Sequence, residues 1–413
     1  MLRLFPHQLL PNLSTKVTAM NSRQTNVASS KSHWALLLVL FAMMVSAVPP
    51  AHPQTLTTLH SFSGPDGFFP NGHLLQDALG NLYGTTYQGG AHNRGAVFSM
   101  TPDGTETVVY SFKSSPDATG PGAGVIRDDQ GNLYGTARHN GGHLNGAVFQ
   151  IAPDGKEKVL WAFNNSPDGS DPMAGLVRDA QGNLYGTTYS GGDRPHLLGH
   201  GTVFQVTPEG TEKVLYTFTG GADGAHPNST LLRDANGNLY GTTNAGGAFN
   251  FGTVFLVAPN GTERVLYSFS GGTDGAYPAG GLVRDGNGNF YGTTSHGADP
   301  SCGNGCGMVF KLTRSGAETI LYRFAGGDDG EVPYGLARDG KGNLYGTTAG
   351  GAFNFGTVFK LAPDGTKTLL YAFTGGADGA EPSGVIRGKS GALYGVTTSR
   401  GEFNSGTVFK VIP

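Results

Sequence analysis

The chain has 413 residues and a formal net charge of −3, and 69 of its residues are Gly and 23 are Pro. Collagen is excluded because the glycines show no three-residue period. Disorder is disfavoured because hydrophobic residues make up 38% and aromatic residues 10% of the chain. The near balance of acidic and basic residues argues against a nucleic-acid partner. Abundant Gly in a chain that folds predicts short strands joined by tight turns, in which Gly adopts positive φ.

The N-terminus has the pattern of an exported protein. Residues 1–47 contain four basic and no acidic residues. Within them, residues 34–45 (WALLLVLFAMMV) form an apolar run, shorter than the roughly 20 residues that span a membrane. We predict a signal peptide over 1–47, with Met20 as an alternative start, and a linker over 48–53. Retention of the run as an anchor is the alternative. If the signal peptide is cleaved, the mature protein is secreted or periplasmic and has no membrane span.

The two cysteines, Cys302 and Cys306, lie close together in SCGNGCG. Two thiolates make only half of a structural zinc site, and exported proteins favour disulfides. We therefore predict a disulfide that stiffens one loop, with free thiols or a metal as the alternatives.

A repeat occupies the whole chain after residue 54. The motif NLYGTT recurs seven times with small variations, and its tyrosines are Tyr83, Tyr134, Tyr185, Tyr240, Tyr291, Tyr345 and Tyr394. The spacing of roughly 51 residues leaves no room for a second domain, so residues 54–413 are predicted to form one repeat domain.

Each unit has the pattern of four strands. In the fourth unit these are residues 231–234, 238–243, 253–257 and 263–269. Asn-Gly and similar pairs between apolar runs indicate hairpin turns. Seven units of four antiparallel strands predict an all-β, seven-bladed β-propeller. A linear solenoid would need polar capping units at its ends, and the sequence has none.

The two ends of the repeat complement each other. Residues 54–62 (QTLTTLHSF) have a fourth-strand sequence, whereas the chain stops after the third-strand sequence at residues 406–412. Pairing of these two segments would complete the last blade and close the ring.

The units share the pattern G-L-V-R-D-x-x-G-N-L-Y-G-T-T…G-T-V-F-K-L-x-P-x-G-T-E. Over residues 55–413 this pattern resembles the bacterial GloVer tandem repeat of the "choice-of-anchor" proteins. The resemblance implies a signal peptide and a C-terminal surface anchor, but no defined activity. This chain ends at Pro413 directly after a strand, so the expected protein is soluble rather than tethered.

Function is expected on the propeller face that carries the fourth-to-first and second-to-third loops, because only the second-to-third loops vary in length. An Asp recurs once per unit in the fourth-to-first loop, and Asp168, Asp223 and Asp274 are examples. These carboxylates are predicted either to bind Ca²⁺ or to close Asx-turns by accepting a downstream backbone N–H.

Histidines and phenylalanines gather on the same face. His139, His143, His196 and His200 lie in adjacent units. They are candidate ligands for a transition metal or candidate general bases, with solvated loop residues as the alternative.

The aromatic candidates occupy the loops of two other units: Phe249, Phe251, Phe353 and Phe355. Exposed, they would stack on sugars or apolar ligands; buried, they would hold the loops in place.

These observations predict a secreted propeller, monomeric, that acts as a binding or scaffolding module for glycans or cell-surface partners. The alternative is a metal-assisted polysaccharide lyase or hydrolase that uses the loop histidines. The sequence establishes no cofactor. The ions that its residues suggest are Ca²⁺ and a transition metal.

Closure of the ring generates the first testable prediction. Deletion of residues 54–62 should destabilise the protein by several kcal/mol, because each buried backbone group left unpaired costs about 1–3 kcal/mol. Thermal unfolding of the truncated protein measures this loss. An unchanged melting temperature would contradict closure.

Overall fold

The computed structural model describes residues 55–139, 145–193, 199–297, 302–303 and 305–413. The predicted signal peptide and linker lie outside these residues. The described strands form seven antiparallel sheets arranged as a seven-bladed β-propeller, and no α-helix occurs among them. The predicted fold class is therefore confirmed.

Within each blade the strands run from the central channel outwards. The innermost strands are β2 (Phe68–Gln76), β6 (Thr119–Pro121) with β7 (Ile126–Arg127), β11 (Val177–Arg178), β15 (Ala225–Pro227) with β16 (Leu232–Arg233), β20 (Ala276–Arg284), β24 (Glu331–Arg338) and β28 (Ala380–Arg387). The second strands, which carry the repeated LYGTT sequence, are β3 (Leu82–Gln88), β8 (Leu133–His139), β12 (Leu184–Thr188), β17 (Leu239–Ala245), β21 (Phe290–His296), β25 (Leu344–Gly350) and β29 (Leu393–Ser399).

The outer half of each blade is equally regular. The third strands are β4 (Ala96–Met100), β9 (Ala147–Ile151), β13 (Thr202–Val206), β18 (Thr253–Val257), β22 (Met308–Leu312), β26 (Thr357–Leu361) and β30 (Thr407–Val411). The outermost strands are β5 (Glu106–Ser111), β10 (Glu157–Ala162), β14 (Glu212–Thr217), β19 (Glu263–Ser268), β23 (Glu318–Arg323), β27 (Lys367–Ala372) and β1 (Leu56–Ser61). A short 3₁₀ turn, Gly327–Asp329, follows β23.

The N-terminal strand closes the ring. β1 pairs antiparallel with β30, from Leu56 opposite Val411 to Ser61 opposite Thr407. Blade 7 thus consists of β28, β29, β30 and β1, whereas blades 1 to 6 are continuous in sequence, starting with β2 to β5. The pairing predicted from the two ends is confirmed.

The core lies between neighbouring blades. Phe255 of β18 is fully buried, and a Cβ on Gly241 of the adjacent strand would come within 2.7 Å of its ring, so the glycine makes room for it. Phe218, which directly follows the outermost strand of the preceding blade, meets Phe255 edge-to-face with ring centroids 5.1 Å apart. Equivalent pairs recur at every junction, including Phe62 with Phe98 where the ring closes. Such aromatic pairs contribute about 0.5–1.5 kcal/mol beyond their burial.

A second contact between blades recurs seven times. Tyr277, the residue before Pro278, donates its backbone N–H to the carbonyl oxygen of Phe251 in the preceding blade at 2.9 Å. Gly252 follows Phe251 with φ of 93°, and a Cβ there would lie 2.6 Å from the Pro278 Cδ. We call this arrangement the blade latch. Its seven donors are Phe69, Gly120, Asp171, His226, Tyr277, Val332 and Glu381, and its seven acceptors are Ser405, Arg94, Asn145, His200, Phe251, Cys306 and Phe355.

The latch predicts that Gly252→Ala destabilises the protein by about 2–4 kcal/mol, because the new Cβ requires an unfavourable left-handed backbone and overpacks the proline. The matched control is Gly286→Ala, because Gly286 has open space around its Cα. Urea unfolding of both variants makes the comparison. Equal stabilities would contradict the role of the latch.

Candidate functional site

A cavity of about 820 Å³ occupies the central channel and is lined chiefly by the innermost strands. The innermost segment of each blade starts at the face that carries the fourth-to-first loops, so the residue before its recurring proline lies at the upper end of the channel wall. Val332 and Glu381, two such residues, line the cavity. We call this end of the channel the mouth. The volume of the cavity falls within the roughly 300–1,000 Å³ of typical ligand sites.

The seven residues that donate the latch hydrogen bonds form the rim of the mouth. All adopt positive φ, between 53° and 62°. Only one of them, Gly120, does so without cost; a side-chain-bearing residue in this region costs about 1–3 kcal/mol. The rim side chains nevertheless differ in every blade: Phe69, Gly120, Asp171, His226, Tyr277, Val332 and Glu381. The latch needs their backbones and not their side chains, so their diversity is available for function.

A polar and aromatic cluster covers the rim of blades 1 to 4. Arg138 binds Asp171 through two hydrogen bonds, of 2.7 and 3.1 Å. His139 shares a hydrogen bond of 3.1 Å with the Tyr87 hydroxyl, over whose ring the Arg138 guanidinium lies. Burial and the neighbouring guanidinium lower the pKa of His139, which favours the neutral imidazole. The His226 ring of blade 4 stacks on a tyrosine that follows β12 of blade 3, Tyr189, with ring centroids 4.7 Å apart.

The rim of blades 6 and 7 is acidic and partly open. The exposed Glu381 accepts a hydrogen bond of 3.0 Å from the Thr398 hydroxyl. Beside it, Tyr334 lines the cavity and leaves 38% of its surface exposed. Burial and the Glu381 carboxylate raise the pKa of Tyr334, so its hydroxyl keeps its proton. Glu331 adds a second carboxylate to the cavity wall.

Two lining atoms are buried and unpaired. Asn228 Oδ1 and Ser383 Oγ have no hydrogen-bond partner among the described residues. Both side chains are neutral and directly follow the proline of an innermost strand, Pro227 and Pro382. Because a buried polar group without a partner costs about 1–3 kcal/mol, these atoms call for water or a hydroxyl-bearing ligand in the cavity.

His73 is a channel residue that the sequence analysis did not select. Five of the seven units have Gly just before the apolar residue of the innermost strand, whereas the other two have His73 and Thr230. The His73 ring reaches across the channel, where a Cβ on Gly335 or Gly384 would lie within 2.7 Å of it. Burial lowers the pKa of His73, so the ring is neutral near pH 7. Alignment of the seven units would have revealed both exceptions.

The predicted histidine site is only partly described. His143 and His196 lie outside the described residues. His139 is bonded to Tyr87, while His200 Nδ1 lies 3.3 Å from Asp193 Oδ2. Neither histidine belongs to a group of three close metal-ligating side chains in the described part of the chain. The proposed metal or catalytic role of the four residues stays a prediction.

The predicted aromatic residues divide into two environments. Phe249 and Phe353 leave 57% and 58% of their surfaces exposed at the loop tips. Phe251 and Phe355 are half-buried. Their rings cover glycines of the next fourth-to-first loop, Gly271 under Phe251 being one. An exposed phenylalanine is therefore followed two residues later by a half-buried one within the same GGAFNFG sequence.

The recurring aspartates stabilise their own loops by accepting hydrogen bonds. Asp223 accepts hydrogen bonds from the Thr219 backbone N–H at 2.8 Å and from the Tyr216 hydroxyl at 2.9 Å. Asp274 repeats this pattern, and Asp168 does so with the indole of Trp161. The donor N–H lies four residues upstream, so the predicted Asx-turn with a downstream donor is wrong in direction. Whether these carboxylates also bind Ca²⁺ stays a prediction.

Half-buried glutamates face the loop aspartates from the next blade. Burial and the aspartate charge raise the pKa of each to about 7, and the five residues are Glu106, Glu157, Glu212, Glu263 and Glu318. One carboxyl oxygen of each has no hydrogen-bond partner among the described residues. At a sixth junction Lys367 replaces the glutamate and lies 2.7 Å from Asp329.

The loop that follows β21 contains the disulfide. Cys302 is bonded to Cys306, with Cα atoms 5.3 Å apart, as predicted. The carbonyl oxygen of Cys306 accepts the latch hydrogen bond of Val332, so the disulfide stiffens a segment that contacts the rim.

In the described part of the chain, no helix has the length and apolarity to cross a membrane.

Comparisons with known proteins agree on the architecture. The family model of the Gloeobacter/Verrucomicrobia repeat matches residues 45–196, 165–304 and 301–413. Virginiamycin B lyase from Staphylococcus aureus has a similar structure, with a TM-score of 0.59 and 13% identity over 87% of this chain and 99% of that chain.

A second similar structure is the extracellular domain of a protein classed as a hybrid two-component system of B. thetaiotaomicron. It has a TM-score of 0.56 and 10% identity, over 86% of this chain and 39% of that chain. At these identities the likeness concerns the fold alone. No curated protein sequence matches the chain.

The raised pKa values of the half-buried glutamates predict that the propeller is more stable at acidic than at alkaline pH. The pKa of Glu263 is about 7 in the fold against an ordinary 4.5, so its contribution to stability is complete below pH 4.5 and is lost as the pH rises through 7. Since one pKa unit corresponds to about 1.4 kcal/mol, Glu263→Gln should stabilise the protein at pH 8 by about 1–3 kcal/mol and change little at pH 4.

Urea unfolding at both pH values measures this effect. Lys367→Gln is the matched control at the sixth junction, and it should destabilise the protein at pH 8 because Asp329 loses its cation. A pH dependence of stability that is identical in Glu263→Gln and the unsubstituted protein would contradict the prediction.

Proposed function

Because the chain belongs to the Gloeobacter/Verrucomicrobia repeat family, whose units here form the wall of a channel, we propose that it is an exported binding module. Its ligand is an uncharged, hydroxyl-rich molecule such as the end of a glycan, held in the mouth. An exported location is supported by the disulfide.

The unpaired Asn228 Oδ1 and Ser383 Oγ carry this proposal. They lie in blades 4 and 7 and line the same cavity. A neutral amide and a neutral hydroxyl match the hydroxyl groups of a sugar better than they match an ion. A ligand that offers these atoms the hydrogen bonds they would otherwise make to water binds there without loss of hydrogen bonding.

Residues on the acidic side of the mouth, in blades 6 and 7, complete the proposed sugar site. Tyr334 offers a partly exposed ring for the apolar face of a pyranose. Glu381, next to it, is an exposed carboxylate that accepts hydrogen bonds from hydroxyl groups as it does from Thr398. The exposed Phe353 lies one residue from Asn354, another residue of the cavity wall, and extends this surface outwards.

A polysaccharide lyase or hydrolase is the second candidate. The hydrogen bond between His139 and Tyr87, beside the Arg138 guanidinium, brings together a proton acceptor, a proton donor and a cation. Such a trio could abstract a proton next to a carboxylate in an acidic sugar. The Arg138 charge is already neutralised by Asp171, however, which weakens this alternative.

The test is binding of neutral and acidic oligosaccharides to the full chain, measured by calorimetry. We expect a neutral oligosaccharide to bind, and Asn228→Ala and Ser383→Ala each to weaken binding about tenfold, which corresponds to about 1.4 kcal/mol. Asn287→Ala is the matched control, because Asn287 is exposed in a turn on the opposite face.

Absence of binding to every neutral oligosaccharide, or equal affinities of all variants, would contradict the proposal. Product analysis of the same mixtures tests the alternative. Cleavage of an acidic polysaccharide that is lost in His139→Ala would favour the enzyme.

A further inference from the structure

One junction between blades combines a histidine with the loop aspartate and the glutamate that faces it, a combination that its counterparts lack. His60 lies on β1, Asp66 in the loop that follows it, and Glu106 at the start of β5 in blade 1. The three therefore connect the outermost strand of blade 7 with that of blade 1, at the junction where the N-terminal strand closes the ring. This cluster lies outside the mouth and has no part in the proposed ligand site.

Comparison of the seven junctions isolates His60. Five of the other six have Tyr at its position and one has Trp, namely Tyr110, Trp161, Tyr216, Tyr267, Tyr322 and Tyr371. Each of these residues donates a hydrogen bond from its hydroxyl or indole N–H to the loop aspartate. The other six junctions thus share an aromatic side chain at this position that donates a hydrogen bond to the loop aspartate. An imidazole can donate the same hydrogen bond and also offers what a phenol offers poorly, a nitrogen ligand for a metal.

The geometry suits a single ion. His60 Nε2 lies 2.8 Å from Asp66 Oδ2, and one ligand atom each of His60, Asp66 and Glu106 lie within 4.8 Å of one another. Three atoms that each lie about 2.0–2.2 Å from one metal are separated by at most about 4.4 Å, so small side-chain movements complete the site. Glu106 Oε1 is buried and lacks a hydrogen-bond partner among the described residues. The ring of Phe62, edge-on to the imidazole at 4.8 Å, restricts its rotation.

We propose that His60, Asp66 and Glu106 bind a divalent transition-metal ion, with zinc as the best match. One imidazole and two carboxylates form an N/O set typical of zinc, and a hard cation such as Ca²⁺ takes six or more oxygens. His60 and Asp66 leave 22% and 18% of their side chains exposed, which gives solvent access for a fourth, water ligand. Bound zinc would connect the two outermost strands at the closing junction and stabilise the ring.

The other junctions provide the controls. His60→Tyr restores the residue of the repeat, preserves a donor to Asp66 and removes the nitrogen ligand. Conversely, Tyr267→His places an imidazole beside Asp274 and Glu318, which correspond to Asp66 and Glu106. Neither substitution introduces a residue that the frame does not already accommodate at an equivalent position.

The experiment uses the full chain without an affinity tag, stripped with EDTA and titrated with zinc chloride. We expect one tightly bound zinc per chain by calorimetry and by elemental analysis after gel filtration, and a rise in melting temperature with zinc. His60→Tyr should lose this zinc and the rise while its metal-free melting temperature is preserved. Tyr267→His should bind two zinc ions.

Two results would overturn the proposal. One is an unsubstituted chain that retains no zinc. The other is zinc binding of unchanged stoichiometry and affinity in His60→Tyr, which would place the ion elsewhere, for example on the loop histidines. Failure of oligosaccharide binding leaves this test unaffected, because the two sites share no residue.

Discussion

The hydrogen bond from the residue before each innermost-strand proline to a carbonyl of the preceding blade is the contact on which the propeller depends. It requires positive φ at its donor and a glycine beneath the proline, and it recurs at all seven junctions. At the closing junction Phe69 donates to Ser405 at 3.2 Å, so the junction made by the chain ends has the same contact as those within the chain. The junction formed by the chain ends is thus stabilised by the same contact as the other six junctions.

This contact separates the frame from the side chains that are free to vary. The latch uses the backbone of the rim residues and leaves their side chains free, which is how a ring of identical contacts carries Asp171, His226 and Glu381 at equivalent places. The same logic holds at the outer junctions. The loop aspartate is kept at each one, while the group that faces it is a half-buried glutamate at five junctions and Lys367 at another. At the closing junction, where Glu106 faces Asp66, His60 replaces the tyrosine or tryptophan that donates to the aspartate elsewhere. Departures from the repeat therefore mark what the frame does not require.

The sequence predicted the blades because their determinants are local. Asn-Gly turns and the LYGTT strands fix each hairpin from neighbouring residues, and the spare fourth-strand sequence at one end fixes closure. Contacts between blades were not predicted, because they join residues that lie far apart in the sequence, for example 26 positions for Tyr277 with Phe251 and 37 positions for Phe218 with Phe255. The positive φ of the rim, the reach of His73 and the partial burial of Phe251 near an exposed Phe249 all depend on such contacts. The upstream donor of the Asp223 turn was missed because the loop doubles back on its own strand.

A ring of seven equal blades would enclose a sevenfold-symmetric channel, which can offer a ligand without such symmetry only one kind of contact repeated around it. Blades 6 and 7 break this symmetry. Their innermost strands have one residue fewer between proline and the next apolar residue, Pro333 to Leu336 and Pro382 to Val385, than Pro227 to Leu231 in blade 4. Tyr334 and Ser383 occupy the shortened segments and line the cavity. The shortened segments thus make one side of the channel chemically distinct, as binding of a single molecule in one orientation requires.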